Sequence, residues 1–108
     1  MDEAKRVVVQ RWLSRAEHDL ITARATLKTD PRVTDTVCFH AQQGAEKMLK
    51  AFLAHIDIHV EKTHDLVKLL KPCIARDPAF QELVEAAEAL NPSRRGSALR
   101  GRLARHPA

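Results

Sequence analysis

Apolar side chains at Val9, Leu13, Ala16, Leu20, Ala23 and Leu27 recur in steps of four, three, four, three and four residues. That rhythm keeps them on one stripe of an α-helix, while Arg11, Arg15, His18 and Thr22 face elsewhere. A stripe of that length has to be covered by other elements, so it commits the chain to helix-on-helix packing. The helix is predicted to end near Lys28, because Asp30-Pro31 forces extended geometry on Asp30 and opens a turn.

A second stripe runs through Cys38, Ala41, Ala45, Met48 and Phe52 and is widened by Leu49 and Leu53. Thr34 or Asp35 is placed to cap its first amides, and it is expected to stop near Ala54 or His55. From His55 to Lys62, Ile56, Ile58 and Val60 alternate with polar residues, but with no second strand to pair with, the segment reads as a loop lying on the core. Thr63 is the expected N-cap of a third helix that buries Leu66, Leu69 and Leu70, and Pro72 is expected to kink or end it. Asp77-Pro78 repeats the helix-start signal, and Phe80, Leu83, Val84, Ala87 and Leu90 form the last clear stripe, which stops near Asn91-Pro92. There are no internal repeats. Three long helices and one short one, joined by short connections, predict an all-α, antiparallel up-and-down four-helix bundle over residues 1–91.

Residues 92–108 read as a separate basic tail. The formal charge is +4 with a sequence pI near 9.4, but the tail alone carries Arg94, Arg95, Arg100, Arg102 and Arg105 with no acid. Residues 1–91 therefore hold thirteen bases against fourteen acids, a net charge of −1. The tail has the chemistry of salt-dependent, sequence-blind binding to nucleic acid, or of a solvated end without a partner. Trp12 is the only Trp and Tyr is absent, which leaves no aromatic platform for stacked bases.

Cys38 and Cys73 both lie in apolar segments and are too few for a disulfide scaffold, so they are expected to be buried free thiols in a reducing compartment. Met1 to Arg6 carry two acids and two bases, and the longest aliphatic run nearby is Val7-Val8-Val9. A secretory signal and a membrane span are both excluded on that reading, and a cytoplasmic protein without membrane association is expected.

The residues able to carry chemistry gather on the second helix and just after it. His40, Gln42, Gln43, Glu46, Lys47 and Lys50 make one side polar while the other is apolar, and Glu46 and Lys50 stand four apart in the favourable order, worth a few tenths of a kcal/mol if exposed. This set is the candidate surface for a ligand or a partner; a solvated helix face is the other reading. His64 is flanked by Thr63 and Asp65, where a capping role competes with a ligand-binding one. His55, His59 and His64 sit in a loop without the helical spacing or cysteines of a simple metal site, so no metal and no cofactor is called for.

The stretch Gln43-Gly44-Ala45-Glu46-Lys47-Met48-Leu49-Lys50-Ala51, joined to Thr63-His64-Asp65-Leu66 and preceded by Ala16-Glu17-His18-Asp19-Leu20 with Ala23, resembles the HEPN domain family over roughly residues 8–91. The resemblance implies a small helical bundle, usually a homodimer, found mainly in bacteria and archaea and often encoded beside a minimal nucleotidyltransferase. It implies an accessory subunit of such a partner, binding nucleotide or partner through His40, Gln43, Glu46, Lys47, Lys50 and His64. The alternative it implies is a metal-independent RNase toxin of a toxin–antitoxin pair. In such members an Arg followed after four to six residues by His lies in the later helices, the ribose 2′-hydroxyl attacks the adjacent phosphate, and the Arg stabilises phosphate charge.

Two pairs fit that spacing here, Arg11 with His18 and Arg100 with His106. Eleven Arg and six His give about two such pairs by chance, so spacing alone assigns neither. Arg11 and His18 lie on the first helix, away from the family's position; Arg100 and His106 are the catalytic candidates by place in the chain. After Leu90-Asn91 the family's usual Arg-Tyr-Pro and closing amphipathic helix are replaced by Pro92-Ser93-Arg94-Arg95-Gly96-Ser97, which reads either as a native tail or as the product of a shifted reading frame. A bundle without that helix is expected to expose apolar surface and to associate with itself or with a partner.

Overall fold

The computed structural model describes residues 2–91. Four α-helices follow one another: α1 Glu3–Thr29, α2 Thr34–His55, α3 Leu66–Arg76 and α4 Val84–Leu90, with a 3-10 helix Pro78–Leu83 leading into α4. The described residues contain no strand, and none of their helices is long and apolar enough to cross a membrane. Readings that fall on residues 92–108, the Arg100 and His106 pair among them, lie outside the described residues.

Each boundary has a local cause. The Asp2 carboxylate accepts the backbone N–H of Lys5 at 2.7 Å to start α1, and Asp30, held extended before Pro31, ends it. At the start of α2 neither Thr34 nor Asp35 is the cap: both are inside the helix, the cap position is Val33, and no side chain bonds the first amides. Asp35 contributes there as an acid in the first turn. The far end of α2 is closed by a Schellman motif, with Ile58 N–H donating to Leu53 O at 2.9 Å and Asp57 N–H to Ala54 O at 3.2 Å. That motif needs a left-handed residue, and Asp57 supplies it at φ 63°, where glycine is the usual choice. Lys5 from α1 reaches the Asp57 carboxylate at 3.0 Å.

Asp65 rather than Thr63 caps α3. Its Oδ1 accepts the N–H groups of Val67 and Lys68 at 3.0 and 3.2 Å, while Thr63 Oγ1 accepts the N–H of Asp65 at 3.1 Å one step earlier. Both residues suit the role, and the helix starts beside the one that reaches two amides. Pro72 does not end α3, which runs on for four residues to Arg76. The Asp77-Pro78 signal opens a 3-10 segment instead of the expected continuous helix, so Leu83 turns outward and is 47% exposed. The result is two long helices and two short ones.

The core is built around the second half of α2. Leu49, Leu53, Leu66, Leu69, Leu70, Cys73 and Ala87 are buried together, with Phe52 and Phe80 packed against them at a ring separation of 4.7 Å. Ile56 and Val60 lie on this core, as expected of the loop. Helix α1 gives no residue to that cluster. It packs along α2 through small residues, with Ala16 and Ala23 buried, and a Cβ placed on Gly44 would stand 3.0 Å from Leu20 Cδ2 and 3.4 Å from the Ala16 carbonyl. Helices α3 and α4 pack on α2 and on each other. Two of the six residues of the α1 stripe are therefore uncovered: Leu13 is 39% and Leu27 49% exposed.

Candidate functional site

The polar residues of α2 collect around two carboxylates. One is Asp19 of α1, which accepts His40 Nδ1 on Oδ1 at 3.0 Å and Lys47 Nζ on Oδ2. Asp19 stands three residues after Ala16 and four before Ala23, the two buried positions of α1, so its carboxylate sits at the edge of the α1–α2 contact. Burial opposes its charge, but the hydrogen bonds from Lys47 and His40 outweigh that cost and hold its pKa below the ordinary value.

The second carboxylate is Glu46. Lys50 Nζ meets Oε2 at 2.9 Å, His64 Nδ1 meets Oε1 at 2.8 Å, and Gln42 Nε2 donates to Oε1 at 3.2 Å. Gln43 in turn donates to Gln42 Oε1 at 3.1 Å, and Lys50 Nζ lies 5.5 Å from the centre of the Trp12 ring. The side chains of Glu46 and Lys50 are 4% and 8% exposed, so this is a buried ion pair, and the solvated helix face is ruled out for these two residues. Desolvation raises the cost of the charge on Glu46; the bonds from Lys50 and His64 more than offset it and lower its pKa. The buried side-chain polar atoms of the described residues all have hydrogen-bond partners.

All six residues singled out from the sequence thus lie in these two adjoining clusters. His40 and Lys47 belong to Asp19; Glu46, Lys50 and His64 belong together; Gln43 joins through Gln42. Asp19 and Trp12 were not among the candidates. The signal for Asp19 was available, since a carboxylate on the buried edge of a helix requires a partner of opposite charge.

His64 does not cap α3. Its ring bonds Glu46 and its carbonyl accepts from Gln42 at 3.5 Å, tying the loop before α3 to α2. Its side chain is 72% exposed, the most open member of the set. With Nδ1 held by the carboxylate, Nε2 is left for a ligand, and an imidazole oriented in this way can donate to or accept from a bound phosphate or hydroxyl. Asn91, buried at 3%, locks the same region: its Oδ1 accepts Leu66 N–H at 3.3 Å and its Nδ2 donates to Asp65 Oδ1 at 2.8 Å. Bonds from the Lys68 backbone and from Asn91 lower the pKa of Asp65.

This pattern, with Glu46, Lys50 and the Thr63-to-Leu66 turn held in one network, falls within a HEPN domain family model that matches residues 9–101. The chain belongs to the HEPN domain family. Searches of curated proteins and of solved structures return no match. The match to the HEPN domain runs ten residues past Asn91, beyond the span that carried the resemblance, and takes in Arg100 but not His106.

The other candidates do not join the HEPN network. Arg11 and His18 are both exposed on α1. No three His, Cys, Asp or Glu among the described residues are grouped to hold a metal ion. Cys73 is fully buried, donates to Leu69 O at 3.4 Å, and burial pushes its thiol up to about 11, so it is unreactive. Cys38 is only half-buried, contrary to expectation.

Proposed function

We propose that this HEPN domain is a binding subunit without catalysis of its own, which acts as a homodimer in association with a nucleotidyltransferase-type protein. The observation that supports it is the closed charge balance of the polar set. Asp19 is met by Lys47 and His40, and Glu46 by Lys50 and His64, so these groups hold helices together. Nucleotide or partner contact falls to the most open member, His64, with Glu46 and Lys50 as its support and Gln43 beside them. A cytoplasmic setting fits this role.

The test is an RNase assay of the purified full chain with chelator present, run beside co-purification with a minimal nucleotidyltransferase encoded next to it. The expected outcome is intact RNA and a stable complex. Metal-independent cleavage lost on Arg100→Ala or His106→Ala would instead establish the RNase toxin.

A further inference from the structure

Opposite the Glu46 network, α1 presents an uncovered apolar patch. Ile21 is 53% and Met48 of α2 50% exposed, and these two share one surface depression with Leu13, Leu20, Glu17 and Arg24. Residues 17, 20, 21 and 24 are spaced i, i+3, i+4 and i+7, which is the diamond that one helix offers another at a crossing point.

The charges within this diamond are arranged in a particular way. Glu17 and Arg24 are both exposed, and their neighbours at three and four residues within the diamond are Leu20 and Ile21. Neither forms an ion pair with a described residue. Seven residues separate them, about 10 Å along the axis, and the midpoint falls between Leu20 and Ile21. A two-fold axis through that midpoint exchanges the two positions, so each Glu17 meets the other copy's Arg24. The patch is complementary to itself, which is the requirement for a two-fold contact. A partner of unrelated sequence would have no need of that symmetry.

We propose that two copies of this chain pair through α1, antiparallel, about an axis passing between Leu20 and Ile21, with Glu17 of each copy against Arg24 of the other. Ile21 of each copy fills the depression beside Met48, and Leu13 lies toward Leu27 across the axis. This deepens the dimeric part of the function proposed above by naming the face, and is independent of the nucleotidyltransferase partner and of nucleotide.

The test is sedimentation velocity of the full-length chain at micromolar concentrations, for the wild type, Arg24→Glu, and the double variant Glu17→Arg/Arg24→Glu, with helical content checked by circular dichroism. The wild type is expected to be a dimer. Arg24→Glu sets four carboxylates together at the axis and is expected to weaken the dimer roughly tenfold or more; the double variant restores the pairing with its signs reversed and is expected to recover it. A dimer indifferent to both changes would overturn the assigned face while leaving dimerisation standing. A monomeric wild type would overturn dimer and face alike, and leave residues 92–108 or a chain of another sequence as the cover.

Discussion

The two sides of the α1–α2 hairpin are opposites in chemistry and in how far their needs are met. On one side Asp19, His40, Gln42, Glu46, Lys47, Lys50 and His64 are charged or polar yet partnered. On the other side Leu13, Ile21, Leu27 and Met48 are apolar yet open. Polarity would ordinarily mark the first side as the working surface and the second as core. The structure reverses this: Gln42, Glu46 and Lys50 of the polar side are buried and partnered, while the apolar side is exposed and is the face we propose as the contact between copies. Changes on the polar side are therefore expected to cost folding stability and spare self-association, and changes on the apolar side to do the reverse.

The largest effect is expected from Glu46→Ala. It strands the buried Lys50 ammonium and frees His64, and a loss of about 3–5 kcal/mol in urea unfolding is expected. Gly44→Val forces a branched side chain into the closest approach of α1 and α2, where Leu20 and Ala16 leave no room, and about 1–3 kcal/mol is expected in the same measurement. Asn91→Ala removes the acceptor for the buried Leu66 amide and one donor to Asp65, for about 1–2 kcal/mol, again with the oligomeric state unchanged.

Acid sharpens the same contrast. Asp19 and Glu46 have folded pKa values below their ordinary 3.8 and 4.5, so the stability they contribute is complete above those values. It is lost as pH falls below about 4 and through the lowered folded values. Urea midpoints taken from pH 6 down to pH 2 are expected to be flat at first and then to drop, and the drop should be smaller in an Asp19→Asn variant. The smallest effect is expected from Asp57→Gly. It relieves the left-handed backbone at φ 63° while losing the exposed pair with Lys5, so the midpoint should move by no more than about 0.5 kcal/mol.

Much of this was legible in the chain. The 4-3 rhythm located α1 and α2 closely, because Asp30-Pro31 and the loss of pattern after His55 are strong local signals. The 3-10 segment was not legible, because Asp77-Pro78 starts either kind of helix equally well. The cap of α3 was misplaced by two residues because Thr63, Asp65 and Asn91 act together, and Asn91 lies 26 positions away from Asp65. The candidate site was legible as a set of residues but not in its burial. Glu46 and Lys50 at i, i+4 look alike on a solvated and on a covered helix face, and it is His64 from the loop and Trp12 from α1, both distant in sequence, that separate the two. The stripe on α1 was legible, but which of its members would stay uncovered was not.

The most direct measurement is urea unfolding of Glu46→Ala beside the wild type, with sedimentation velocity on the same samples. The account predicts a loss of about 3–5 kcal/mol with self-association unchanged wherever the variant is folded. A variant as stable as the wild type would contradict it, and would mean that Glu46 is held for a ligand and not for the fold.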